Sequence, residues 1–378
     1  MKTVLIIGAG AAGLTLATTL STTLPPAHHL LLLDTRSYHF HAIAALRAST
    51  SPDPAYPSQI CIPLDKALDR GRGEVRQGEV VRVDKDTKEV VLRTGERVGW
   101  DILVLAMGAK WGSPIDPHPD RSEALSQFAQ TRSQIAGAKR ILIVGGGSVG
   151  VELAGEILET WAGEGKEVTI VHPSALPMSS IYPDKMRREL LRQLEALGCS
   201  FIPNDRIETT TPGSASVTTT NGLEIPTDLI FTCTGPTPNS ALLHTLSPSS
   251  LTPSGSVLVR PTFQLDVSGD GEREAWMDSV YVVGDLAAVP EVKQAYKAYG
   301  HAAIVAHNIL AHLSSKKLKG YRPPGEACIV TIGSKGGAGV LPPIPFLGRV
   351  CVGAWFTWVI KSKGLFVGDA RRKCGVSA

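Results

Sequence analysis

From Thr3 to Asp34 two apolar runs bracket a helical stretch. Val4 to Ile7 has strand length and enters Gly8-Ala9-Gly10-Ala11-Ala12-Gly13, and a second run, Leu30 to Leu33, stops at Asp34. Strand, glycine turn, helix and strand in that order predict a βαβ unit that binds a dinucleotide. Each glycine has a mechanical task. Gly8 makes the tight turn, Gly10 lets backbone approach a pyrophosphate, and Gly13 lets the helix pack closely on the strand. Asp34, ending the second strand, is placed to accept from a ribose hydroxyl.

The pattern then changes period. Glu79 to Arg97 alternates apolar and polar residues with turns at Asp86-Thr87 and Thr94-Gly95, predicting a meander of short antiparallel strands. Asp101 to Gly108 reads as a buried strand ending in glycine, and the Pro-rich bridge Trp111 to Asp120 marks a domain boundary. After it the opening motif recurs as Arg140-ILIVGGGSVGVELAGEI, with Gly145, Gly147 and Gly150 in the turn and a second strand from Glu167 to His172. A helix from about Asp184 to Leu197 shows Leu190, Leu191, Leu194 and Leu197 on one face, with Gly198 as its stop. Strands around the Asn221-Gly222 hairpin lead to Asp228 through Gly235, the counterpart of Asp101 through Gly108. This is an internal duplication, each copy expected to hold one dinucleotide. Later, Phe263 to Asp266 and Ser279 to Ala287 read as strands, and a helix is predicted to start near Pro290.

At 378 residues the chain suits two or three domains. A net charge of +3 is too small for the basic face that nucleic acid demands. Met1-Lys2 before VLII resembles a signal peptide, but glycines interrupt the run at once, so it reads as a buried strand. No apolar stretch approaches the length of a membrane span. Cys61, Cys199, Cys233, Cys328, Cys351 and Cys374 form no CxxC pair, which predicts a reducing, cytoplasmic setting without a dithiol centre.

Candidate chemistry narrows the picture further. His39 and His41 lack a carboxylate or cysteine cluster and read as packing or solvent-facing residues rather than metal ligands, so no metal is expected. Arg47 could clamp a pyrophosphate bidentately. Gly284-Asp285 followed by a helix start suits a flavin, with Asp285 accepting from a ribityl hydroxyl and the helix's positive end facing the pyrimidine edge; a plain N-cap turn is the bland alternative. His172 stands where an acid would select NAD, so NADPH should be tolerated. Trp355, Phe356, Trp358, Val359, Leu365 and Phe366 among Lys361, Lys363, Arg371, Arg372 and Lys373 suit an interfacial membrane contact, or equally a dimer interface or a lid.

HFHAIAALRAS, VGGGSVGVELAGEI, VYVVGDLA and KSKGLFV together resemble the apoptosis-inducing-factor-like ferroptosis suppressor proteins, FAD-dependent NAD(P)H:quinone oxidoreductases among the two-dinucleotide reductases. The resemblance implies an α/β chain of two Rossmann-like, glutathione-reductase-like domains, the second inserted in the first. An FAD domain would span 1–112 and 245–318, an NAD(P)H domain 113–244, and a C-terminal segment 319–378. Flavin contacts then fall on Gly8 to Gly13, Asp34, Arg47, Val80, Gly284 and Asp285. The nicotinamide nucleotide falls on Gly145, Gly147, Ser148, Gly150, His172 and Gly235. Glu152 and Lys361, with Lys293, become candidate catalytic residues. The expected partner is a small-molecule quinone, with peripheral contact to a membrane or lipid droplet and a homodimer as further expectations. Animal members begin Met-Gly and are myristoylated, whereas Lys2 here excludes that modification, so membrane contact would fall to the C-terminal aromatics. The alternatives are a pathway-specific flavoenzyme acting on a quinone-like or phenolic metabolite, and a disulfide reductase, which would need a cysteine pair.

Overall fold

The computed structural model describes residues 2–69, 71–112, 114–209, 213–268, 272–343, 345–346 and 348–377. Ser113, where a domain boundary is expected, and the two chain ends lie outside these.

The first βαβ unit forms the centre of a five-stranded parallel sheet. Its order is Val280–Val282, Ile102–Leu105, Lys2–Ile7, His28–Asp34, Glu74–Gln77. Val4, Leu5 and Ile6 are wholly buried, as strands covered on both faces require. The helices Ala11–Thr23 and Ala295–Leu313 contribute Leu16, Leu20, Val305 and Ile309 to the same core. The edge strand Glu74–Gln77 has too little apolar pattern to be read from sequence. The expected meander follows as Val80–Asp84, Glu89–Leu92 and Arg97–Gly99.

The second unit builds a parallel sheet ordered Ser200–Ile202, Glu167–Val171, Arg140–Val144, Leu229–Thr232. It is inserted between the Ile102–Leu105 and Val280–Val282 strands of the first sheet. A two-stranded ribbon, Ala109–Lys110 against Thr237–Pro238, ties the outgoing and returning chain. The helix Asp184–Ala196 stops as expected, with Gly198 at φ +88°.

Two expected elements differ. Phe263 to Asp266 is no strand, because Phe263 takes φ +66° and only isolated bridges survive, Val259 to Leu265 and Gln264 to Tyr281. The last long helix begins at Ala295, not near Pro290. Short turns, Val289 N–H to the Ala287 carbonyl and Glu291 N–H to the Val289 carbonyl, hold the intervening chain out of helix.

The C-terminal segment packs on the second unit. Its antiparallel sheet, Cys328–Ile332, Gly336–Val340 and Cys351–Val352, buries Val330, Ile332 and Val340 with Leu153 and Ile157 of the helix Ser148–Thr160. Contact is so close that a Cβ on Gly155 would lie 2.8 Å from the Gly333 nitrogen. The chain then turns back, and Ala370 of its last helix, Val367–Lys373, and Cys374 just after it join the core of the first unit.

Candidate cofactor and active site

The two glycine turns are alike at their three motif glycines. A Cβ on Gly8 would stand 2.4 Å from the Ala106 carbonyl oxygen, and one on Gly145 2.4 Å from that of Cys233. A Cβ on Gly13 would stand 1.8 Å from the Gly8 oxygen, and one on Gly150 2.0 Å from the Gly145 oxygen. Gly10 and Gly147, in contrast, have open space beside them. The outer glycines therefore serve packing, and the middle ones present backbone. Gly10 and Gly147 are also the N-caps of the helices Ala11–Thr23 and Ser148–Thr160, and neither helix has a side-chain cap. Their first N–H groups point to an anion, as a pyrophosphate site requires.

Both turns open on one cavity of about 2070 Å³. Single small-ligand sites reach about 1,000 Å³, so this volume suits more than one such ligand. Gly8, Ala9, Gly10, Ala11, Ala12, Asp34 and Val80 line one part; Gly147, Ser148, Glu152, Gly284, Asp285, Lys293 and Lys361 line others.

Asp34 closes the first turn, Oδ2 accepting the Ala9 N–H at 2.5 Å and Oδ1 the Arg36 N–H at 2.7 Å. His39, expected only to pack or face solvent, braces the same turn: Nδ1 lies 2.8 Å from the Ala9 carbonyl, so that nitrogen carries the proton. Burial pushes its pKa down to about 4, which keeps the ring neutral. His41 likewise bonds the Leu365 carbonyl at 2.7 Å. Both histidines are buried, the packing branch of the packing-or-solvent expectation.

Asp285 sits in a short turn, Gly284–Leu286, at the cavity wall. Burial raises its carboxyl pKa, with Lys293 and His301 opposing. Lys293 donates to the Ala287 carbonyl at 2.5 Å, and desolvation lowers its pKa against the pull of Glu291 and Asp285. Gln294, the N-cap residue of the Ala295–Leu313 helix, is held by the Tyr182 hydroxyl and the Ala327 carbonyl and also faces the cavity.

Glu152 and Lys361 form an ion pair across 209 residues, Nζ to Oε1 at 2.6 Å. Glu152 also accepts the Thr331 N–H at 3.0 Å, and Lys361 donates to the Ile329 carbonyl at 3.0 Å. Lys361 lies on a π-helical turn, Trp358–Ser362, continuing the helix Ala354–Thr357. That turn aims Lys361 inward while Trp355 (74% exposed), Trp358, Val359 and Ile360 face outward.

Several expected contacts are corrected. Arg47 does not reach the cavity: its guanidinium bonds Glu156 at 2.7 Å and the Ser362 and Gly333 carbonyls, so it cannot clamp a pyrophosphate. Gly13, Gly145 and Gly150 are buried and Gly235 is exposed, and none of them lines the cavity. Nor does His172, whose Nδ1 accepts the Gly146 N–H at 3.0 Å, and burial lowers its pKa. All six cysteines are free, and burial pushes the Cys328 thiol, which borders the cavity, up to about 11. Among the described residues no cluster of three metal-ligating side chains exists.

Uncapped helix ends at Gly10 and Gly147 and acids at Asp34 and Asp285 fit two dinucleotides, one of them a flavin, and define the chain as a two-dinucleotide oxidoreductase. A family model described as pyridine nucleotide-disulphide oxidoreductase matches residues 2–302, and the chain belongs to that family. It is an FAD-dependent oxidoreductase that uses NAD(P)H. It is similar to the FAD-dependent oxidoreductase FVFD30 of Flammulina velutipes, 36% identical over 324 residues, 84% of this chain and 95% of that one. Ferroptosis suppressor protein 1 of Taeniopygia guttata is 30% identical over 98% of this chain and 95% of its own. Among solved structures, the sulfide:quinone oxidoreductase of Aquifex aeolicus matches with a TM-score of 0.79 over 100% of this chain and 92% of that chain. At 17% identity that likeness is one of fold.

Proposed function

We propose that this protein is an NAD(P)H:quinone oxidoreductase, with FAD against the first glycine turn and NAD(P)H against the second. The observation that carries the reading is the single cavity that both turns share with the Asp285 turn and the Glu152–Lys361 pair. Similarity to ferroptosis suppressor protein 1 along nearly the whole chain supports it, including the segment that holds Lys361.

The chemistry a bound flavin supplies is two-electron exchange between nicotinamide and acceptor. NAD(P)H, a quinone and one proton give NAD(P)⁺ and hydroquinone, so the chain must handle that proton. Lys361 is suited to it. An ammonium has three donors; Glu152 and the Ile329 carbonyl take two, leaving one for an acceptor in the cavity. Glu152 holds the charge in place, and Asp285 and the Ala295–Leu313 helix end orient the flavin.

The exposed Trp358, Val359 and Ile360 lie on the same turn as Lys361, with the exposed Trp355 on the helix just before it, and would let a long-tailed quinone enter from a lipid surface. Among the described residues no helix is long and apolar enough to cross a membrane. The test is to record the visible spectrum of the purified protein, follow its bleaching by NADH, and follow recovery with a panel of quinones. A flavin that NADH fails to bleach, or that no quinone reoxidises faster than air, would refute the proposal.

A further inference from the structure

Behind the Gly284–Leu286 turn lies a buried cluster of ionisable groups that the reading above leaves without a task. His301 and Lys297, one helical turn apart, are each 1% exposed, as is the Glu291 carboxylate. His301 Nδ1 accepts the Gly284 N–H at 3.2 Å, and Nε2 lies 2.8 Å from Glu291 Oε1. A ring nitrogen that accepts from a backbone N–H carries no proton, so the proton sits on Nε2 and points at Glu291. The Tyr321 hydroxyl donates to the other Glu291 oxygen at 3.0 Å, and Lys297 stands 4.0 Å from it. Lys297 donates to Glu326 Oε1 at 2.7 Å, the atom that also accepts the Val292 N–H at 3.2 Å. Phe263 and Tyr321 close over the imidazole, their ring centres 4.5 and 4.8 Å away.

This cluster grips the loop from Gly284 to Gln294 at Gly284, Glu291 and Val292. The same loop carries Asp285, Lys293 and Gln294 to the cavity wall. Buried ion pairs contribute little net stability compared with apolar packing, so what they add here is orientation. We infer that His301 is a positioning residue for the flavin: through Gly284 it holds the Asp285 turn in the arrangement that accepts FAD, and Glu291, Tyr321 and Lys297 fix its ring. His301 itself does not line the cavity. The inference concerns FAD binding and does not rest on the identity of the electron acceptor.

The experiment titrates flavin-free protein with FAD, following flavin fluorescence and the visible spectrum of the bound form. His301→Leu leaves the Gly284 N–H unpaired and reduces the population of the binding-competent turn, so FAD affinity should fall about tenfold. His301→Asn puts an amide oxygen near the place of Nδ1 and should bind within about threefold of wild type. Tyr321→Phe, which removes one oxygen, should weaken binding by about threefold and serves as the test if the leucine variant does not fold. Leu190→Ala, in the core of the second sheet, separates positioning from general stability: it should lower the melting temperature and leave FAD affinity unchanged. Wild-type affinity and spectrum in both His301→Leu and Tyr321→Phe, or an asparagine variant no better than the leucine one, would overturn the inference.

Discussion

On the proposed reading, Asp285 sets stability against flavin binding in a single side chain. Its carboxyl is buried, and desolvation raises its pKa above the ordinary 3.8. For an acid this means that below about pH 3.8 both folded and unfolded chains are protonated and the group is neutral to stability. As pH rises through the raised folded value, the folded state is penalised for holding the charge. Flavin-free Asp285→Asn should therefore melt higher than wild type at pH 7, with the gap closing toward pH 3.8, as calorimetry across pH would show. Asp285→Ala should lose flavin on gel filtration; full retention would remove this residue from the flavin site. Lys361→Met, about isosteric, should leave flavin bleaching by NADH intact and slow reoxidation by quinone 10²-fold or more, roughly the scale for losing a proton donor, read by stopped-flow absorbance.

The elements divide sharply into those a sequence announces and those it hides. Each glycine turn is legible because it needs glycine on local grounds: Gly13 crowds the Gly8 oxygen inside the motif, and Gly8 takes φ +104°, so no other residue fits. The pairing of Glu152 with Lys361 arises between elements 209 residues apart, and spacing alone carries no trace of it; only resemblance pointed there. Arg47 was misleading for the same reason. A guanidinium near a nucleotide motif suggests phosphate, yet its partner, Glu156, is 109 residues away on the second unit's helix. The late start of the last long helix goes with short turns at Val289 and Glu291 and with Lys293 bonding the Ala287 carbonyl, contacts that hydrophobic periodicity does not show. One packing contact gives a test at this scale. Gly155→Ala pushes a Cβ into the backbone at Ile332 and Gly333, which should cost about 2 kcal/mol in chemical denaturation. It should also slow turnover, because the displaced strand supplies the Thr331 N–H and Ile329 carbonyl to the ion pair.

Across the whole molecule, the C-terminal segment bridges both units, packing its sheet on the second and its last helix on the first. Removing it would disturb Ala370 and Cys374 in the core, so truncation is a poor probe of membrane contact. Trp355→Glu with Trp358→Glu is cleaner, since both side chains face outward. The double variant should keep wild-type turnover with a short-chain quinone and lose sedimentation with anionic vesicles. On the proposed reading, nicotinamide choice belongs to the second unit. His172 lies behind the turn and offers no negative charge to a 2′-phosphate, so kcat/KM for NADH and NADPH should agree within a hundredfold, by steady-state kinetics.

The π-helical turn at Trp358–Ser362 sets a rule for how this chain tolerates insertions and deletions. Such a turn is an α-helix with one residue added, and each residue advances an α-helix by about 100°. Outward Ile360 and inward Lys361 depend on that extra residue. Deleting Val359 would remove the widened turn that carries Lys361, and the lysine would lose its place opposite Glu152. A substitution at the same exposed site would leave the pair intact. Functional relatives of this chain should therefore vary freely in side chain at position 359 while keeping the length of the segment constant.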